Sequence, residues 1–382
     1  MATRPDLGDI TTWLLTRGRS ARDIAAMLDG LCRNLLEAGL RLERATVGAP
    51  LMHPIARSCF AIWHPESGAT QRELVWDEAG LEKIRNSPMY PIYTEGTGTD
   101  WRLDDGAQVT RFDVGPELRA EGFTHYVAFA LPFADGSFKA FTIQTRSHDG
   151  FSTGELDLVR GLVPAIAAAV EHHVQRGLAA ILMNTFVGER AGMRVLEGQI
   201  HRGDGDTIRA VIWMSDIRAF TRLAAEKPPG EVIGLLNRCF ETVTGAIARN
   251  GGEVLKFIGD AVLGIFPVEA DDADAVRRAE AALDALRRDM GGADWPSDLT
   301  LGVALHLGEV FYGNIGGETR LDFTVIGPSV NLVSRVEGLC RPLDEPVLVT
   351  APVAELSRRR YRSCGRQKIK GVDRPVEVFA PE

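Results

Sequence analysis

Between residues 11 and 39, Ile24, Leu28, Leu31, Leu35 and Ala38 recur at steps of 4, 3, 4 and 3, the interval of one helix face. Beyond residue 57 the period falls to that of strands. Segments 58–64 and 71–76, parted by the Pro- and Gly-containing stretch 65–68, predict a hairpin. Segments 126–133 and 138–145, joined at 134–137, predict a second one. Between them, residues 77–122 are polar, Gly-rich and irregular, as a loop over a pocket would be. Ser152 and Glu155 then have the spacing of a capping box, and Leu156, Val159, Val163, Ile166 and Val170 follow at steps of 3, 4, 3 and 4. That narrow stripe suits docking on the preceding sheet or on a parallel helix of a second protomer, and Pro164 is expected to kink it. Residues 177–205, interrupted by Gly177, Gly188, Gly192 and Gly198, read as a broken helix ending in a turn.

The second half alternates differently. A strand at 208–215 precedes a helix at 230–250, a hairpin around Asp260 and a helix at 271–290. A strand at 299–306 with its return at 307–315 follows, then 323–331 leading into a helix, and a terminal hairpin made from 368–371 and 376–379. The order β-α-β-β-α-β, with helices on one face of a mixed sheet, predicts a ferredoxin-like α+β core. The expected organisation is a sensor-like α/β domain at 1–175, a helical linker at 176–204 and the second domain at 205–382.

A chain of 382 residues has room for two or three domains, and 45% hydrophobic with 25% charged residues is ordinary globular composition. No run approaches the ~18 apolar residues of a membrane helix, and residues 1–9 lack the regions of a signal peptide. A cytoplasmic location without a membrane segment is therefore expected. Cys32, Cys59, Cys239, Cys340 and Cys364 are scattered, as buried thiols are, and give neither a disulfide framework nor a zinc site. A formal charge of −9 argues against a nucleic-acid partner. Trp63, Trp76, Trp101, Phe123, Tyr126 and Phe129 could line a pocket, although aromatics at strand spacing are usually core. His172 and His173 are neighbours on a helix, diverge by about 100° and cannot chelate one ion, so a surface position is expected.

Asp216 and Asp260 carry the candidate chemistry. Each carboxylate stands at a strand end, Asp260 in a Gly-Asp turn, and the two could converge on a metal. Taken alone, Ser215 or Asp216 reads equally well as an N-cap. Asn331 and Arg335 lie four apart on one helix face, where Arg335 alone would read as an ion-pair partner of Glu337.

Three segments together carry a resemblance. Ser-Asp-Ile-Arg-Ala-Phe-Thr at 215–221, Lys-Phe-Ile-Gly-Asp-Ala at 256–261 and Phe-Thr-Val-Ile-Gly-Pro-Ser-Val-Asn-Leu-Val-Ser-Arg at 323–335 resemble the signature segments of class III adenylyl and guanylyl cyclases. The resemblance spans about residues 205–380. It implies that Asp216 and Asp260, with the carbonyl of Ile217, hold two divalent cations, Mg²⁺ or Mn²⁺, ions that suit hard oxygen ligands. It further implies that the turn from Ile217 through Phe220 to Thr221 offers amides to the β- and γ-phosphates. Asn331 would orient the ribose, Arg335 would neutralise charge on the α-phosphate, and Lys370 would contact the terminal phosphates. Lys256 and Thr324 would select the base. A lysine only donates and a hydroxyl can accept, so the pair suits adenine N1 and the 6-amino group, whereas a guanylyl cyclase is expected to carry a carboxylate at position 256.

The implied function is an adenylate cyclase converting ATP to 3′,5′-cyclic AMP and pyrophosphate. Guanylate cyclase activity and a non-catalytic nucleotide-binding scaffold are the alternatives. Metal ligands and base-binding residues come from different domains in this family, so the resemblance also implies a head-to-tail homodimer. Thr324 resembles the subset that includes bicarbonate-responsive cyclases. Two departures stand out: Ala219 occupies a usual Gly position, so the turn must avoid positive φ or be reshaped, and Pro328 replaces a common acidic residue. Residues 15–175 resemble a GAF-type sensory domain in their order of helix, antiparallel strands, variable middle, hairpin and closing helix. They lack the Asn-Lys-Phe-Asp-Glu signature of the cyclic-nucleotide-binding members, which leaves an unidentified small-molecule or protein signal as the regulator.

Overall fold

Two sheets organise the chain in a computed structural model that describes residues 4–50, 57–75, 78–104, 106, 108–292, 295–296 and 299–382. Each belongs to its own compact unit, residues 1–181 or 182–382.

The first unit begins with α1 (Leu7–Trp13), a π-helical turn (Leu14–Gly18) and α2 (Ile24–Glu37). Strands β1 (Arg44–Pro50), β2 (Arg57–His64) and β3 (Gly68–Val75) follow, then α3 (Glu78–Arg85), α4 (Tyr90–Glu95), β4 (Thr99–Arg102) and α5 (Gly115–Ala120). Hairpin β5 (His125–Pro132) and β6 (Phe138–Thr145) precedes α6 (Thr153–Val187). The antiparallel order is β3-β2-β1-β6-β5-β4, so β1 is central. Both predicted hairpins form, although Trp76, expected to end the second strand, lies outside the described residues. Among its described residues, the region 77–122 holds three short α-helices, a 3-10 turn (Val109–Arg111) and a strand where an irregular loop was expected.

Alternation in the strands builds one core. Ala45 and Val47 of β1, Trp63 of β2 and Phe141 and Ile143 of β6 pack against Met27, Leu28 and Leu31 of α2 and Val159, Leu162 and Ile166 of α6. The α6 stripe is thus buried on its own unit's helix layer, and the helix continues through Pro164. His173 corrects the surface expectation. It is 7% exposed because it continues the Ile166–Val170 face, and its Nε2 lies 2.8 Å from the Gly18 carbonyl. The candidate aromatics are core residues: Trp63 and Phe129 sit in the main cluster, and Trp101, Phe123 and Tyr126 in a second one.

In the second unit, α7 (Glu189–Leu196) leads to β7 (Gly205–Ile217), α8 (Phe220–Glu226), α9 (Pro229–Arg249), β8 (Glu253–Ile258), β9 (Ala261–Pro267) and α10 (Asp272–Met290). Then come β10 (Leu301–Gly316), β11 (Leu321–Ile326), α11 (Pro328–Glu337), β12 (Val347–Thr350), α12 (Ala351–Leu356), β13 (Tyr361–Gln367) and β14 (Val376–Pro381). The mixed sheet runs β13-β14-β12-β10-β7-β9-β8, with β11 beside β10. Strand β7 is apolar on both sides because both sides are covered. Val211 and Trp213 meet α9 and α10, while Ile212 and Met214 meet α11, so helices lie on both faces and not on one.

Two expectations at the end of the chain change. Residues 301–316 form one strand, paired with β7 from Leu301 to Gly313, because Gly308 lacks the positive φ of a hairpin turn. Strand β14 pairs with β13, which places 368–371 in their connecting loop. Among the described residues, no helix is long and apolar enough to cross a membrane. Cys32, Cys239, Cys340 and Cys364 are free thiols.

Candidate active site

Strand β7 emerges from the core at Asp216, whose Oδ1 accepts the Ile217 N–H at 3.0 Å. Asp260 arrives from the other direction. Hairpin β8–β9 closes through the two residues Gly259 and Asp260, and Gly259 supplies the left-handed conformation (φ 65°) that such a turn requires. The two carboxyl groups lie close enough for each to feel the other. Partial burial, then the neighbouring Asp260 carboxyl and its charge, then Glu337, push the Asp216 carboxyl up to about 7. Glu337 reaches this region from α11 beside Gly302, the sheet partner of Asp216. Burial first, with the field of both aspartates adding, also pushes the underlying Cys239 thiol up to about 12.

This donor set fits a hard divalent cation. Two carboxylates forced together are unstable when both are ionised, and a cation removes the conflict. Asp216, Asp260 and the Ile217 carbonyl are the candidate protein ligands. Among the described residues no group of three or more His, Cys, Asp or Glu converges, so water and substrate oxygens would complete the coordination.

Beyond β7 the chain turns at Ala219 and enters α8. Ala219 takes the left-handed conformation (φ 58°, ψ 26°), contrary to the expectation that an alanine here would avoid it. The strand-to-helix turn dictates the backbone, and the methyl group bears the strain. Phe220 is half-buried against the core, and Thr221 is exposed.

A second group gathers where β8 nears β11. Lys256 Nζ donates to Asp322 Oδ2, a partner that the sequence reading missed. Two residues further on the same strand face, Thr324 is 4% exposed and its hydroxyl has no hydrogen-bond partner. Lys256 and Asp322 also border a 790 Å³ groove. The third group lies on α11, whose inner face buries Val333 and Val336, leaving Asn331 and Arg335 exposed. Arg335 does not pair with Glu337, which points to the opposite side. Its guanidinium abuts Gly371, next to the exposed Lys370. Among the described residues, no hydrogen bond or ion pair joins the aspartate pair, the Lys256 group and the Arg335 group.

The comparisons give this arrangement its class. Residues 206–379 match the family described as the adenylate and guanylate cyclase catalytic domain, and this part of the chain belongs to that family. Its members use divalent metals. An uncharacterised protein of Mycobacterium bovis is 31% identical over 243 residues, 61% of this chain and 42% of that protein. An adenylate cyclase of Anabaena cylindrica is 30% identical over 195 residues, 47% of this chain and 38% of that protein. The chain thus spans less than half the length of these curated relatives. A solved bacterial light-regulated adenylyl cyclase is 30% identical over 46% of this chain and 91% of its own, with a TM-score of 0.41. The family's description covers both adenylate and guanylate cyclases, so the family alone leaves the base open.

Proposed function

We propose that the chain is an adenylate cyclase: ATP is cyclised to 3′,5′-cyclic AMP and pyrophosphate in a homodimer, with control by the N-terminal unit. The observation that carries the choice of adenine is Lys256 beside the buried, partnerless hydroxyl of Thr324. Nζ can donate to adenine N1, and Thr324 Oγ1 can accept from the 6-amino group. Asp322 holds the ammonium in place.

In the reaction the ribose 3′-oxygen forms a bond to the α-phosphorus as the bond to the β-bridging oxygen breaks. Pyrophosphate leaves with that electron pair, and the hydroxyl proton passes to solvent. Two divalent ions at Asp216 and Asp260 would supply charge neutralisation for the attacking and leaving oxygens. Asn331 would orient the ribose. Arg335 would sit against the charge that grows on the α-phosphate, and Lys370 against the departing phosphates. The amides of residues 217–221 would bind the β- and γ-phosphates, with Phe220 and Thr221 at the helix entrance.

A second copy of the chain is proposed because, among the described residues, no hydrogen bond or ion pair joins the three groups within one. Phe257 and Ile258, each 50% exposed at the end of β8, offer apolar surface at the same place. Complementation tests this reading. Asp260→Ala and Arg335→Ala should each be inactive. An equal mixture should recover about a quarter of wild-type cyclic AMP production, because half of the dimers are mixed and each of those has one intact site. A mixture as inactive as its components would refute the shared site.

A further inference from the structure

The second face of the N-terminal sheet is lined with polar side chains and yet covered. Arg44 and Thr46 of β1 stand directly opposite Gln144 and Thr142 of β6, giving a block of four on the two central strands. An antiparallel sheet normally turns such residues to water. Here Thr142 is 1% and Gln144 4% exposed, beneath a roof that includes Met89 and Leu118. The space between floor and roof is a 580 Å³ cavity, within the range of small-molecule sites.

Three atoms on that floor lack partners, Thr142 Oγ1 among them. Arg44 Nε is a buried donor and Gln144 Oε1 a buried acceptor, in register across one strand gap, and neither bonds the other or any other group. The arginine is fixed from its far end, where Nη2 donates to Glu121 and the guanidinium lies 4.7 Å from the Phe123 ring centroid. Rotation therefore does not free Nε to find another partner. Buried polar atoms are nearly always satisfied, and an adjacent donor and acceptor that both lack partners call for a third group with the complementary pair.

We propose that this cavity binds a small planar molecule with a carbonyl next to an N–H on one edge, the carbonyl accepting from Arg44 Nε–H and the N–H donating to Gln144 Oε1. The hydroxyls of Thr46 and Thr142 can serve either polarity at a neighbouring position, and Met89, Val114 and Leu118 of the roof, which also carries Glu117 and Glu121, suit the flat face of a ring. Both a cyclic amide and a primary carboxamide have this edge. The inference is independent of the catalytic reading.

The test uses the full-length protein and calorimetric titration with uracil, nicotinamide and 1,3-dimethyluracil, which keeps the ring and lacks the N–H. Uracil, nicotinamide or both should bind at about millimolar strength, as expected for so few atoms, and the dimethyl compound at least about tenfold more weakly. The stronger of the first two identifies the source of the edge. Gln144→Met should abolish binding, and without ligand its N-terminal unit should be no less stable than wild type by hydrogen exchange in β1 and β6, because an orphaned oxygen has been removed. Equal binding of uracil and its dimethyl form, binding of neither uracil nor nicotinamide, or a destabilised Gln144→Met would overturn the proposal. The last result would mean that Gln144 is a structural group satisfied by solvent.

Discussion

Replacing Asp260 by Asn should weaken the pH dependence of stability of the metal-free catalytic unit. Asp216 titrates at about 7 in the fold against 3.8 in an unfolded chain. A carboxyl raised in this way keeps its proton where the unfolded chain has lost it. The folded state then binds more protons, and stability falls as pH rises from about 4 through about 7. The full shift corresponds to about 4 kcal/mol, and solvent access to the half-buried pair reduces it to about 2–3 kcal/mol. Asparagine removes the like charge and can donate to Asp216, so the part of the cost that comes from Asp260 is lost while the part that comes from burial remains. Denaturant-dependent hydrogen exchange of residues 205–217 in chelator, at pH 5 and pH 8, measures both variants. Wild type should lose roughly 1–2 kcal/mol over this range beyond any loss in Asp260→Asn, a comparison that cancels Glu253, whose carboxyl burial also raises, and that includes the share of the Glu337 shift due to Asp260. Parallel curves for the two proteins would refute the coupling of Asp216 to Asp260.

Other consequences follow from single residues. Ala219→Gly relieves a left-handed alanine and should stabilise the catalytic unit by about 0.5–1 kcal/mol, read as a rise of about 2–4 °C in its melting temperature. His306 is 8% exposed, with Nδ1 2.8 Å from Thr350 Oγ1, and burial, aided by Arg209, lowers its pKa to about 4. A histidine lowered in this way is stabilising while neutral, so about 3 kcal/mol should be lost as pH falls from about 6.5 to about 4, and His306→Gln should flatten that part of the acid-denaturation curve. Asp322→Ala should raise the KM for ATP by up to about fivefold with kcat little changed, since Asp322 orients Lys256 from a partly exposed position. A fall in KM would mean instead that Asp322 competes with the base.

Helix α2, both N-terminal hairpins and the strand–helix order of the second unit as far as α10 were legible because periodicity follows burial on one face. Strand β1 was not. Its only large apolar side chain is Val47, and the other face carries the polar block of the cavity floor, so no alternation of apolar residues marked it. A strand at 299–306 and its return at 307–315 were expected because composition does not report φ, and His173 was read as surface because its apolar neighbours on α6 are not adjacent in sequence. In the candidate site, Asp216 and Asp260 were legible as carboxylates at strand ends, and the structure brings them together. Asp322 was overlooked two residues before Thr324. Its pairing with Lys256 links positions 66 apart, which no local pattern encodes.

The most direct test of the central claim is product formation by the purified full-length chain with ATP or GTP and Mn²⁺, beside Asp260→Ala and Lys256→Glu. The account predicts cyclic AMP from ATP, none from Asp260→Ala, and a preference for ATP over GTP that falls by at least about tenfold in Lys256→Glu. Cyclic GMP as the main wild-type product would contradict the assignment of Lys256 and Thr324 to adenine. Unchanged activity in Asp260→Ala would contradict the role given to the carboxylate pair.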